Sequence, residues 1–492
     1  MENLQADVVI VGGGGSGMVA AVSAAENGAG NVIVLEKAAH TGGNAFLAVA
    51  MFAVESPVQK RLGFKTSREQ FFKEAMAAAK WTINPEVVRA YVNKSGELVG
   101  WFESKGIKFG IGRGLKADNP PLGHEFSERQ GRYAATPMRV AQGPGMVGST
   151  VIETMLKDCD KLGIKVLTKT KAEKLLTDTR GSIKGVLASS SKGKNYKIST
   201  KSVVIAAGDF GGNAAMMSKY FGLDIHGDVF HHAIAGQTGD GIVMAGDAGA
   251  LIDKRYSIHW FGPCHHKWAG SVHYTMQRPD MLWVNKNGER FMDEFSNGMQ
   301  SVYALNVQPG KVSYSLLDSN TLRDIKESPP PERPSFDQHH MFDTLYDDIE
   351  NEASEEKKAW KADTLEELAM LLGAKPAVLK ATVARYNAFC DKGHDDDFIK
   401  DPKYLKPIRK PPYYAILGVI GYGYTSGGIK INERMEVISK KGGIISGLYA
   451  AGNNAGDWTT QNYAQGGTSL TFAFCSGYIA GESAAKYVLG KS

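Results

Sequence analysis

Cysteine is scarce in this sequence: Cys159, Cys264, Cys390 and Cys475 are the only four in 492 residues, and none stand at C-x-x-C spacing. That leaves no basis for a disulfide framework, a cysteine zinc site, an iron–sulfur cluster or covalently attached haem, and it predicts reduced thiols. Long apolar runs are missing too; no stretch of 18 residues suggests a membrane span. Neither charge sign dominates. The 57 basic and 52 acidic residues leave a net charge of +5, with no polybasic block, so nucleic acid and acidic membranes are not indicated as partners. No internal repeat is found. The first strand is entered by residue 6, leaving no room for a secretory signal, and a cytoplasmic protein is expected. Hydrophobic content of 43% and charge of 22% are ordinary for a globular enzyme, and the length predicts two or more domains.

What is present is concentrated near the start. Ala6 to Val11 is a short β-branched run that reads as a strand buried on both faces. Gly12, Gly14 and Gly17 follow at G-x-G-x-x-G spacing, with Gly15 and Ser16 inside the turn, and Met18 to Asn27 is rich in helix formers. A second buried strand, Asn31 to Leu35, ends on Glu36 and Lys37. Strand, glycines, helix, strand and acid together form a dinucleotide-binding fingerprint. Gly12 permits the tight turn, Gly14 lets backbone approach a pyrophosphate, and Gly17 lets the helix pack on the sheet. The helix N-terminus offers N–H groups to phosphate, and Glu36 offers a carboxylate to a ribose.

Further along, Thr41-Gly42-Gly43-Asn44 is a second place where backbone can approach a ligand. Residues 66 to 105 carry helical spacing, broken between Trp81 and Pro85, with Asn84 as N-cap. Residues 106 to 145 are glycine-rich and loop-like, and loops of that length are commonly functional. Ile164 to Leu176 and Ser182 to Ile198 read as strands of a small antiparallel unit, and Lys201 to Ala207 as another buried strand. Residues 254 to 300 are rich in aromatics and histidine, and 324 to 362 read as an exposed proline-rich and acidic excursion. Helices are expected over Thr364–Leu372, Pro376–Lys392 and Thr468–Leu489, and strands over Gly428–Asn432 and Gly447–Ala451. These patterns predict an α/β protein in which a Rossmann-like, three-layer domain is discontinuous. Residues 1–253 and 425–492 would form it, with an inserted α+β capping domain over 254–424 at the carboxyl edge of the sheet. His231, His232, His259, His265, His266 and His273 match no single-face metal motif, so no metal is expected, although His259 and His265 are candidates to touch substrate. Arg290 is read as a structural partner of a nearby acid.

The N-terminal fingerprint, VVIAAGDFGGN, NKNGERFMDE and SGLYAAGN followed by QGGTSLTFAFCSGYIAGESAA together resemble the fumarate reductase and 3-ketosteroid dehydrogenase superfamily of FAD flavoproteins. The resemblance covers nearly the whole chain in the same order. It implies noncovalent FAD. It also implies that Glu36 binds the adenosine ribose and that Gly42, Gly43 and Asn44 lie near the flavin. Ala172, Ala207 and Gly208 would line the adenine end, and Gly452 and Asn453 the pyrophosphate and ribityl chain. After Gly467, the last helix would point Ser469 and Leu470 at the flavin pyrimidine, where a helix N-terminus stabilises the reduced ring.

The departures from that pattern narrow the chemistry. Where fumarate reductases carry a histidine and two arginines, this sequence has Tyr424, Ala464 and about Gly298. A dicarboxylate clamp needs guanidinium forks, and Arg278 is the one cation retained as a candidate substrate contact. Tyr463 and Gly466 resemble the Tyr and Gly that hydrogen-bond the ketone oxygen in ketosteroid dehydrogenases, a pair suited to an oxyanion hole. A second acid/base is required for the proton on the neighbouring carbon; Tyr256, Tyr274, Tyr422 and Tyr424 are the candidates. The expected activity is hydride transfer between flavin N5 and a carbon of a neutral, cyclic enone or ketone. A steroid or isoflavonoid-like ring would serve, in a tetrahydrodaidzein reductase-like role. The alternatives are a carboxylate-directed, fumarate-like reductase and a flavin electron-transfer subunit. Electrons would come from or go to an external partner: NADH, a reduced flavin or a redox protein.

Overall fold

The computed structural model describes the chain apart from residues 49–50, 62, 64–66, 112–137, 141–146, 228, 232–235, 267–269, 296–297, 328–341, 461–466 and 492. Its residues group into two compact units, 1–221, 233–258 and 424–492 forming unit 1, and 222–232 with 259–423 forming unit 2. These boundaries differ from a 254–424 insertion because Val229–His231 hydrogen-bonds in register to Ile420–Tyr422, which draws 222–232 into unit 2.

Unit 1 is built on a six-stranded sheet of β1 (Val8–Val11), β2 (Val32–Leu35), β3 (Lys165–Leu167), β4 (Ser202–Ile205), β5 (Glu436–Ile438) and β6 (Ile444–Ala450), in the order β5-β6-β4-β1-β2-β3. All but β5 run parallel. β1, β2 and β4 are buried at every position, as parallel strands covered on both faces must be. Two helices, α1 (Gly15–Glu26) and α2 (Thr468–Val488), pack on each other and along this sheet. A separate four-stranded sheet, ordered Glu2–Gln5, Asn195–Ser199, Ile183–Ser190 and Thr170–Thr177, supplies a further layer that also touches β4 and β6. Asn84 caps helix Pro85–Ser104 by accepting from Glu86 N at 2.9 Å.

Unit 2 has a mixed sheet ordered Val229–His231, Tyr413–Ser426, Val312–Asp318 and Leu282–Asn285, with Ser257–Cys264 and Ala359–Ala362 also paired to the long Tyr413–Ser426 strand. Alternation along the strands splits its core in two. Leu282, Val284, Leu316 and Ala415 face helices Leu365–Leu372 and Pro376–Lys392, while Trp283, Leu317, Tyr414 and Ile416 face the opposite way, toward Met276, Leu322 and Leu345.

Two local expectations need correction. Gly428–Asn432 is not a strand: Gly427 and Gly428 have φ of 107° and 123°, which breaks the extended run, and Ile429 and Ile431 make isolated bridges only. The 324–362 stretch is not an exposed excursion throughout, since Leu345, Ile349 and Glu352 are buried and Ala359–Ala362 joins the sheet. Apolar positions at 345 and 349, one helical turn apart, outweigh the surrounding acids.

Candidate cofactor and active site

Strand register decides what meets at the edge of the unit 1 sheet. Val11 pairs with Leu35 and with Ile205, and Ile205 pairs with Ala450. The carboxyl ends of four parallel strands therefore form one row, and the residues after them emerge side by side: Gly12–Gly17, Glu36–Lys37, Ala206–Asp209 and Ala451–Asn453. Ligands bind in this position in open α/β sheets.

The glycine turn is tightly built. Gly12 has φ of 106°, and a Cβ on Gly17 would stand 1.9 Å from Gly12 O, so only glycine lets α1 start here. A Cβ on Gly14, by contrast, would meet no atom closer than 3.9 Å, which is the open cradle a phosphate needs. Gly13 N–H and Ala38 N–H donate to the two carboxylate oxygens of Glu36 at 2.8 and 2.7 Å, fixing that side chain beside the turn. Gly42 N–H donates to Gly13 O at 2.8 Å, and Gly43 begins the short 3-10 turn Gly43–Leu47. Lys37 turns away to Thr238 Oγ1 and Asp240 Oδ2, each 2.7 Å from its Nζ. Ala172 is buried in the Thr170–Thr177 strand.

The helices align their ends by close approach. A Cβ on Gly477 would be 2.3 Å from Ser16 O, and one on Gly481 would be 2.3 Å from Ala20 O. Contacts 16 to 477 and 20 to 481 make α1 and α2 parallel. Thr468 stands nine positions before Gly477 and Gly15 one before Ser16, so the N-terminus of α2 lies about 12 Å beyond that of α1 along the same direction. Two helix N-termini, each the positive end of a helix dipole, are thus offset along one line, as an extended dinucleotide requires. Gly467 caps α2 at φ 84°, and its missing Cβ would touch Met51 backbone at 2.9 Å. Ser469 Oγ donates to Asn453 Oδ1 at 3.2 Å, and Leu470 is buried.

Between these segments sits Asp209, which the sequence reading passed over while selecting its neighbours Ala207 and Gly208. Its side chain accepts from Asn44 Nδ2 (3.1 Å), Gly211 N (2.7 Å), Asn453 Nδ2 (3.5 Å) and Thr425 Oγ1 (3.5 Å). Its backbone N–H donates to Gln237 Oε1 at 3.0 Å. Asp209 is 1% exposed, and burial pushes its carboxyl up to about 6 against the opposing hydrogen bonds. The AAGDFGGN stretch held the signal, but not which of its side chains turns inward.

The catalytic candidates separate. Tyr463 and Gly466 lie outside the described residues. Tyr424, half-buried, is the next residue to Thr425, and Gly427 N–H donates to Asn453 O at 3.0 Å, so this end of the Tyr413–Ser426 strand belongs to the Asp209 neighbourhood. Tyr256 is buried against Phe210 and Tyr220, with ring centroids 4.8 and 4.6 Å away, and burial holds its phenol well above the usual tyrosine range. Tyr422 is fully buried, and Tyr274 stands beside His273. His259 is buried, which drives its imidazole down to about 3 and keeps it neutral. Arg278 is in unit 2, forked onto Asp280 at 2.8 and 2.6 Å, with a buried Nη1 that has no hydrogen-bond partner among the described residues. Arg290 bonds Glu294 at 2.9 Å through both Nε and Nη2, and its Nη2 is 2.8 Å from Asp395, so it is structural as read.

Residues 7–470 match the family model described as an FAD binding domain. The chain belongs to that family. This flavoprotein is 30% identical to a vinyl phenol reductase of Lactiplantibacillus plantarum over 98% of its own length and 96% of the relative's. The open conformation of a flavocytochrome c3 fumarate reductase matches with TM-score 0.75 and 27% identity, over 99% of this chain and 79% of that one. A 3-ketosteroid-Δ4-(5α)-dehydrogenase from Rhodococcus jostii shares the fold, with TM-score 0.73 and 24% identity over 98% and 97% of the two chains. The flavoprotein is an FAD-dependent oxidoreductase of the class acting on CH–CH or conjugated C=C groups. Among the described residues, no helix is long and apolar enough to cross a membrane.

Proposed function

We propose that this flavoprotein reduces a C=C bond conjugated to a ketone or a phenol ring in an uncharged cyclic substrate of steroid, isoflavonoid or vinylphenol type. The observation that carries the reading is the trio Tyr424, Ala464 and Gly298 at positions where the fumarate-reductase pattern implies a histidine and two arginines. Burying a dicarboxylate without those forks would leave its charges uncompensated. Similarity along nearly the full length to a vinyl phenol reductase supports a neutral substrate.

When bound, FAD would supply the hydride. The chain's own residues do the rest. In this reading Glu36 accepts from the adenosine ribose, and the N-terminus of α1, from Gly14 to Ser16, receives the pyrophosphate. Asn44, Asn453 and Asp209 hold the middle of the cofactor, while α2 directs Ser469 and Leu470 toward the flavin ring. Tyr463 O–H and Gly466 N–H donate to the substrate oxygen as negative charge develops there. Tyr424 is the preferred proton carrier, because Tyr256 is packed into an aromatic cluster and Tyr422 is fully buried. An external donor, NADH, a reduced flavin or a redox protein, supplies electrons, and the proposed setting is the cytoplasm. A carboxylate-directed reductase is the second reading, favoured by the buried Nη1 of Arg278, which has no partner among the described residues.

The test is anaerobic. The photoreduced flavoprotein is mixed with 4-vinylphenol, a 4-ene-3-ketosteroid, a planar isoflavonoid ketone or fumarate, and flavin reoxidation is followed by absorbance. Fast reoxidation by a neutral acceptor, slowed on the order of 100-fold in Tyr463→Phe, is expected. Fast reoxidation by fumarate alone, lost in Arg278→Gln, would replace the proposal with the second reading.

A further inference from the structure

Unit 2 holds a cluster that FAD chemistry does not use. His265 and His266 follow directly on the Ser257–Cys264 strand, and the π-turn Glu352–Glu356 brings Glu352 to them. His265 Nε2 and His266 Nε2 lie 3.4 and 3.5 Å from Glu352 Oε2. One ligand atom from each of the three residues falls within a 4.8 Å span, and the two rings stand with centroids 4.1 Å apart. Adjacent histidines on a strand would point to opposite faces. These two lie past the strand's end, in a bend, which lets both reach one point.

We infer that His265, His266 and Glu352 form a binding site for a divalent transition metal, with zinc the ion that fits best. Zinc–nitrogen and zinc–carboxylate bonds of about 2.0–2.1 Å place tetrahedral ligands roughly 3.3–3.4 Å from each other. The observed 3.4 and 3.5 Å match that edge and exceed the usual length of a ring N–H to carboxylate hydrogen bond. The chemistry agrees: two imidazoles and one carboxylate suit zinc, cobalt or nickel rather than magnesium or calcium. Burial agrees as well, since the side chains of His265 and Glu352 are each 1% exposed and a dication offsets the cost of the buried carboxylate. His266, 31% exposed, opens the site to solvent.

Two neighbours shape it. His265 N–H donates to His273 Nδ1 at 3.3 Å, which steadies the bend. Glu356 Oε2 is 2.5 Å from His266 Nε2, the very nitrogen the metal would take, so zinc entry displaces that contact and turns Glu356 outward or into the fourth position. The ion would staple the end of the Ser257–Cys264 strand to a segment 87 positions later (352 less 265). Its role is structural and independent of the substrate proposed above.

The full-length holoprotein, stripped with a chelator and dialysed metal-free, is titrated with zinc sulfate against a chromophoric competitor. One zinc per chain is expected, with no magnesium bound, and cobalt should give the visible d–d bands of a low-coordinate site. Glu352→Gln and His266→Ala should each weaken zinc roughly 100-fold or more, with the flavin spectrum unchanged. Zinc should raise the Tm of the wild type and not of either variant. Absence of stoichiometric binding, or binding untouched in His266→Ala, whose partly exposed side chain can be lost without unfolding the chain, overturns the assignment.

Discussion

Two buried carboxylates, Asp209 in unit 1 and Glu294 in unit 2, answer the same problem in opposite ways. Glu294 is surrounded by cations: Arg290 forks onto it, and Lys400 Nζ stands 3.2 Å away while also donating to Met281 O and Tyr386 OH. Asp209 has amides, a hydroxyl and a backbone N–H but, among the described residues, no cation in hydrogen-bond contact, and its affinity for a proton is raised. A neutralised ion set fixes a core. A carboxylate left electrostatically unsatisfied marks the sheet edge where a ligand is to be held.

The comparison can be broken from either side. The largest effect belongs to unit 2: Arg290→Ala, by stranding Glu294 and Asp395, should cost about 4 kcal/mol of stability, read as a lower denaturant midpoint. An effect below 1 kcal/mol would show that the set is solvated and that the contrast is false.

Asp209 should reveal itself through pH. Its folded-state affinity for a proton is raised from 3.8 to about 6, so its contribution is fully favourable below the unfolded value and is lost as pH rises through 6. The shift corresponds to roughly 3 kcal/mol. Apoprotein stability measured from pH 4 to 7, wild type minus Asp209→Asn, should therefore fall by that order; a flat difference would show that folding does not raise the proton affinity of Asp209. A smaller change is expected for Glu36→Gln, which keeps shape but drops charge: FAD affinity should fall about 10-fold by fluorescence titration, with stability of the apoprotein little altered. Smallest is Asn84→Ala, which should cost about 1 kcal/mol through the lost cap and leave FAD affinity unchanged.

Much of unit 1 was legible because its signals are local. The β-branched runs at 8–11 and 32–35, the glycines at 12, 14 and 17 and the acid at 36 lie within one short βαβ segment, and each constrains the next. Unit 2 was harder. The Tyr413–Ser426 strand is interrupted by Gly418, Gly421 and Gly423, and its fourteen residues carry no alternation because both faces are covered. Asp209 was missed because its partners come from positions 44, 211, 425 and 453, which no spacing rule connects. His265 and His266 match no metal motif in the sequence because Glu352, which meets them, lies in a distant acidic stretch that reads as exposed.

The order of segments along the chain has a consequence for biosynthesis. β6 and α2 complete unit 1, yet both are translated after the last residue of unit 2. At roughly 5–20 residues per second, unit 2 can fold on the ribosome while the edge position beside β4 is still empty and the apolar face of α1 is still uncovered. Unit 1 must wait for its own C-terminal segment, and the cofactor can be captured only when that segment arrives. A chain ending before residue 444 would lack both β6 and α2, and with them half of the edge that is to hold the cofactor.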